Sequence, residues 1–166
     1  MTITEAFLPE FDQEVVLTRT TLERVPYKPE FVPHPKSMPL GRLASLVAQL
    51  PSFGVSVLNT DLVDFSAGGW KPLPFESAAQ LVRAFDEGAA KLRPALAATT
   101  DGGWKANWKL LYQPGKSLFD GPRFMAYRQM FLNHLVHHRA QLGIYLRLND
   151  VPVPQVYGPS ADEGWG

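Results

Sequence analysis

Three of the chain's four histidines fall in one short run, Asn133-His134-Leu135-Val136-His137-His138. Imidazole changes charge near neutral pH and, when neutral, offers a nitrogen lone pair to a proton or a metal. A spacing of four residues stacks His134 and His138 one turn apart on the same helical face. Two rings so placed can share one divalent ion, and neutral nitrogen donors suit zinc, nickel, copper or iron. The same spacing also occurs on helices whose histidines only bond a backbone carbonyl or a carboxylate. A catalytic or structural zinc site takes three or four protein ligands, and this motif supplies two. His137 lies about 100° around the helix from the other two, which suits an interface or solvent better than a third ligand.

Other chemistries are poorly represented. With no cysteine in the chain, disulfides, thiolate ligands and a cysteine nucleophile are excluded. There is no Ser-His-Asp order, Gly-rich phosphate loop or carboxylate pair. Lys plus Arg and Asp plus Glu balance at 16 each, so the chain lacks the electrostatic footprint of a nucleic-acid binder. No apolar run approaches the roughly 18 residues of a membrane span. Met1-Thr2-Ile3-Thr4-Glu5 lacks the basic and apolar regions of a signal peptide, and a cytoplasmic location is the expectation. A length of 166 residues with 45% apolar content suits one domain, 1–166, with one core.

Four helices are expected to position the histidines. The first spans about Glu5–Arg24, with Leu8, Phe11, Val15, Leu22 and Val25 on one face and Thr18 completing it. Pro9 places its regular start near Ala6, and Pro26 stops it. Tyr27–Lys36 is too proline-rich to be helical and reads as an extended crossover. The second helix begins near Ser37, with Pro39 in its first turn, and ends near Asp64. Leu43, Leu46, Val47, Leu50, Phe53 and Val57 form its apolar stripe, and Pro51 is expected to bend or interrupt it. Ser77-Ala78-Ala79-Gln80 opens the third with a capping-box pattern. Ala78, Leu81, Phe85, Leu92 and Leu96 then keep helical period, and Pro94 marks the end. Residues 99–119 hold turn signals around Trp104, Trp108 and Tyr112 and read as a short extended or irregular segment across one end. The fourth helix spans about Pro122–Leu148, with Tyr127, Phe131, His134, His138, Leu142 and Tyr145 on one face. The tail, Val151–Gly166, reads as irregular. The economical architecture is an all-α four-helix bundle with a long crossover loop.

Residues His134 to Leu142, then Tyr145-Leu146-Arg147-Leu148-Asn149-Asp150-Val151-Pro152-Val153-Pro154 and Tyr157-Gly158-Pro159-Ser160-Ala161-Asp162-Glu163, resemble the C-terminal part of DinB-like (DinB/YfiT-like) proteins. So does Pro35-Lys36-Ser37-Met38-Pro39-Leu40-Gly41-Arg42-Leu43-Ala44. The resemblance implies a four-helix bundle, often a homodimer, holding a divalent metal such as zinc or nickel with three histidines. Two would be His134 and His138. The third comes from the second helix, after a Leu-Gly-x-Leu-Ala-x run, and here that position is Leu46. Leucine cannot ligate, so the implied metal site is incomplete. Gln49 lies near the same face, but an amide oxygen is a poor ligand for such metals. His34 reads as a solvated loop residue. Arg139 and Gln141 read as hydrogen-bonding groups, structural or behind the ligands.

Two function classes follow. One is a metal-dependent enzyme, a relative of thiol-dependent transferases or a hydrolase. The other is a non-catalytic bundle that binds a small apolar or aromatic molecule between helices or acts as a dimer. Trp104, Trp108, Tyr112 and Phe119 fit a pocket rim or plain packing, and packing is the expectation. Neither nucleic acid nor membrane is an expected partner.

Overall fold

The computed structural model describes residues 1–68 and 71–164, so the tail expectation is tested only to Gly164. Helix α1 (Ile3–Glu23) starts earlier than Pro9 suggests. Thr2 and Glu5 close a reciprocal capping box, Glu5 N–H to Thr2 Oγ1 at 3.1 Å and Thr2 N–H to Glu5 Oε2 at 2.7 Å, which satisfies the helix end. Its buried line runs Phe7, Phe11, Glu14, Thr18, Thr21 and Leu22. Glu14 joins this inward line, where a buried arginine meets it, beside Val15, which packs partly buried against the core.

Helix α2 (Leu40–Asn59) is capped by the crossover loop and not by Ser37. Leu40 N–H donates to the Phe31 carbonyl at 2.9 Å, and Gly41 N–H to that of Pro29 at 3.0 Å. A side chain at Gly41 would press to 3.1 Å from Pro29. The helix continues through Pro51. It stops at Asn59, short of the expected Asp64, because Leu62–Asp64 forms strand β1. Helix α3 (Ala78–Ala98) is capped as its sequence suggests, Gln80 N–H donating to Ser77 Oγ at 3.1 Å, and it runs through Pro94.

The segment before the last helix overturns the all-α expectation. A short helix α4 (Asp101–Lys105) leads into β2 (Asn107–Gln113) and β3 (Lys116–Pro122), an antiparallel hairpin. Gly115 turns it at φ +70°, a conformation that suits glycine. β1 adds in parallel to β2, giving a three-stranded mixed sheet in the order β1-β2-β3. The physical reason is side-chain alternation: Trp108 and Leu110 point inward and are buried, while Lys109 between them is exposed. The chain is therefore helices plus a mixed sheet and not a pure four-helix bundle.

The final helical rod, 123–148, comprises α5 (Arg123–Ala126), a π-helical segment (Tyr127–Leu132) and α6 (Asn133–Leu148). π-helical turns often sit beside functional residues, and this one ends immediately before Asn133 and His134. Phe7, Trp104, Tyr127 and Phe131 stack around it, with Phe7 5.0 Å and Trp104 5.4 Å from Tyr127, ring centre to ring centre. Trp108 belongs to a separate group with Phe53 and Phe119. Trp104 and Trp108 are packing residues, as expected, both fully buried. Two contacts set the pairing of α2 with the rod. Tyr145 donates to the Met38 carbonyl at 2.8 Å, and Gly54 faces the Phe131 ring. The two run antiparallel, with Leu46 at the level of His138.

Candidate functional site: a histidine pair beside an apolar cleft

The two predicted residues meet. His134 Nε2 and His138 Nε2 lie 2.7 Å apart, with ring centres 4.5 Å apart. Each ring is also held from behind. His134 Nδ1 lies 3.3 Å from the Met130 carbonyl, supplied by the π-helical segment, and His138 Nδ1 lies 2.7 Å from Gln141 Oε1. Met130 O can only accept, so His134 Nδ1 carries a hydrogen and its Nε2 offers a lone pair. With Gln141 Oε1 also accepting from His138 Nδ1, two lone pairs would face each other, which requires a proton or a cation between them. With the Gln141 amide flipped, its NH2 donates to His138 Nδ1 and His138 Nε2–H donates to His134. The neutral pair is then fully satisfied. Burial lowers the pKa of both histidines from the ordinary value, because a low-dielectric setting disfavours the charged ring. For His134 the neighbouring His138 adds to the lowering. The neutral chain with the flipped amide is the state these effects favour.

The other candidates do not join the pair as ligands. Gln49 is used on both sides of its amide, donating to the Lys71 carbonyl at 3.0 Å and accepting from Leu73 N–H at 2.8 Å. It pins the loop after β1. His34 accepts from Lys36 N–H at 3.1 Å within the exposed crossover. His137 is exposed on the cleft wall, its ring 4.9 Å from that of His138. Arg139 turns the opposite way, into a buried pair with Glu14. Of the two groups weighed as supports, Gln141 is the one on the histidines.

Beside the pair opens a cleft of ≈ 600 Å³, within the range of small-molecule sites. One wall is a face of α2, where Arg42, Leu46, Gln49 and Phe53 recur at helical spacing. The opposite wall includes Met130, Asn133 and His134. Phe65, Leu110 and Leu118, from in and around the sheet, contribute an apolar side. Leu46 and His134 both line it. Sequence reasoning found the two rings but missed Arg42 and the sheet's contribution. The Arg42–Leu46–Gln49–Phe53 spacing was a readable signal for the first; the second depended on a hairpin that periodicity did not reveal.

The residues present do not fit a resident divalent metal of the three-histidine kind. Two imidazoles converge, Leu46 on the facing helix lines the same cleft and offers no donor atom, and among the described residues no group of three or more His, Cys, Asp or Glu could hold an ion.

No protein-family model matches the chain, and no curated protein does. Solved structures that share its fold include two DinB-like proteins. A DinB-like protein from Bacillus cereus is similar with a TM-score of 0.65 at 21% identity, covering 92% of this chain and 97% of that one. A DinB-like protein from Bacillus subtilis is similar with a TM-score of 0.63 at 15% identity, covering 90% of this chain and 95% of that one. The resemblance read from residues 35–44 and from the C-terminal residues is thus matched by a likeness of fold over nearly the whole chain.

Proposed function

We propose that this chain is a DinB-like protein whose working site is the cleft between α2 and the 123–148 rod, where it binds a small, largely apolar molecule against His134. The carrying observation is Leu46 on the wall of a ≈ 600 Å³ apolar cleft, at the position where the resemblance calls for a ligating histidine. Leucine there adds apolar surface and takes away a donor. His134 is a polar contact on that wall, held in place by Met130 and, through His138, by Gln141.

A neutral apolar dye, N-phenylnaphthylamine, tests this reading by its fluorescence on binding. One saturable site is expected, abolished by Leu46→Trp, which fills the cleft, with helical circular dichroism unchanged. A linear, non-saturating signal, or binding that survives Leu46→Trp in a folded variant, overturns it.

The divalent metal remains a proposal of a weaker kind. Two imidazoles hold zinc or nickel loosely, so untagged purified protein is expected to carry well below one metal per chain by mass spectrometry. A full equivalent, lost in His138→Ala, would return the chain to the metal-dependent class of transferases and hydrolases.

A further inference from the structure

The cleft is polarised along its length. α2 and the 123–148 rod run antiparallel, with Met38 against Tyr145 at one end and Gly54 against Phe131 at the other. Arg42 lies toward the Met38 end, and His137 is the lining residue of α6 nearest that end. Phe53 lies toward the other end, 6.1 Å from Phe65 and 6.2 Å from Trp108, ring centre to ring centre, where Leu110 and Leu118 also line the space. Arg42 and Phe53 are eleven residues apart on one helix, roughly 16 Å at the helical rise.

The charge along this axis has one sign. No lining residue among those described is Asp or Glu. Arg42 is exposed and, among the described residues, has neither an ion-pair nor a hydrogen-bond partner. Seven others, Arg19, Arg24, Arg93, Arg123, Arg128, Arg139 and Arg147, each meet a carboxylate, and Arg83, exposed on α3, does not line the cleft. A guanidinium presents several donors suited to a carboxylate. An unpartnered one at the end of an apolar cleft is complementary to a molecule with an anionic head and an apolar body.

We infer that the cleft takes an extended amphipathic monoanion, a carboxylate with an unbranched or aromatic apolar body, its head at Arg42 and its body against Phe53, Phe65 and Leu110. This rests on the cleft being a ligand site and adds the class and direction of the ligand. The driving force is divided between the two ends: apolar area removed from water along the body, and a charge-assisted hydrogen bond at the head.

The test is displacement of N-phenylnaphthylamine by decanoate, decanol and decylammonium, each below its micellar range. Decanoate is expected to displace the dye about tenfold more tightly than decanol, the worth of one charge-assisted contact at a solvent-accessible site, and decylammonium is expected to be the weakest. Arg42→Met should bring decanoate to the level of decanol and leave decanol unchanged. Because Arg42 is exposed, the variant is expected to fold, which circular dichroism and dye binding both report. Equal displacement by decanoate and decanol, or an Arg42→Met variant that binds decanoate as the parent does, overturns the anion assignment while leaving the cleft reading intact. Failure of the dye itself to bind sinks both.

Discussion

The two polar clusters on α6 lie within one turn of each other and have opposite constructions. Arg139 is 2% exposed and pairs with Glu14, itself 6% exposed on its side chain. Thr18 Oγ1 accepts from Arg139 Nη1 at 3.2 Å. Tyr157 closes the group, accepting from Arg139 Nη2 at 2.7 Å and donating to Glu14 Oε1 at 2.6 Å. The residues come from α1, α6 and the tail, and the tail is further fixed by Arg147 to Asp162 and Arg24 to Glu163. His134 and His138, by contrast, draw every partner from their own rod, and His134 borders open space. A cluster that ties three distant segments through a buried ion pair holds the fold together. A cluster that ties only its own helix and borders a cleft is available to a ligand.

The largest effect that would break this contrast lies on the side of the buried ion pair. Glu14→Ala leaves Arg139 buried without its counter-charge, and a cost of about 3–5 kcal/mol is expected. His138→Ala should cost about 1–2 kcal/mol, since it removes a buried ring beside His134 and its hydrogen bonds. Urea denaturation followed by circular dichroism reads both. If His138→Ala proved the more damaging, the histidines would be a structural element and the division of roles would be wrong.

The next effect sharpens the open side. Leu46→His puts an imidazole on the cleft wall at the level of His138 and makes the donor count three. Zinc affinity, measured by calorimetry or a competing chromophoric chelator, is expected to rise about a hundredfold, equivalent to ~2.7 kcal/mol. Decanoate or dye binding should weaken in the same variant. No gain in zinc affinity would mean that Leu46 does not occupy the third-ligand position, and the correspondence drawn from the Leu40-Gly41-Arg42-Leu43-Ala44 run would fail.

The sequence was most legible where one helix supplies all the information. His134 and His138 were readable from their spacing alone, and Ser77 from its capping pattern. It was least legible where a partner far along the chain decides the outcome. Glu14 looks like a surface residue until Arg139 meets it, 125 residues away. β1 looks like the end of a helix, because three residues carry too little alternation to outvote the long apolar stripe before them; only pairing with β2 makes Leu62–Asp64 a strand. The π-helical segment was also invisible: it changes the turn between Tyr127 and Leu132 without changing which residue types are buried.

The smallest effect concerns protons on the pair. Both histidines have pKa values lowered in the folded protein from an ordinary 6.5. Burial is the first cause for each, and the charge of neighbouring histidines contributes. The unfolded chain therefore binds more protons than the folded one once the pH falls below about 6.5. Stability from this source is complete above that pH and declines as the pH drops toward the lowered folded values; below them it changes no further. His134 borders the cleft and is half-buried, so the decline should be shallow. Urea midpoints between about pH 8 and pH 5 are expected to fall more steeply for the parent than for a His134→Gln, His138→Gln variant. Equal slopes would mean that the pair titrates alike in both states and that burial does not hold it neutral. Nitrogen-detected NMR of the rings gives the same answer independently: on the neutral chain derived above, His134 carries its hydrogen on Nδ1 and His138 on Nε2. The reversed tautomers, or a pair protonated at neutral pH, would contradict the flipped Gln141 amide and with it the reading of the pair as uncharged toward the cleft.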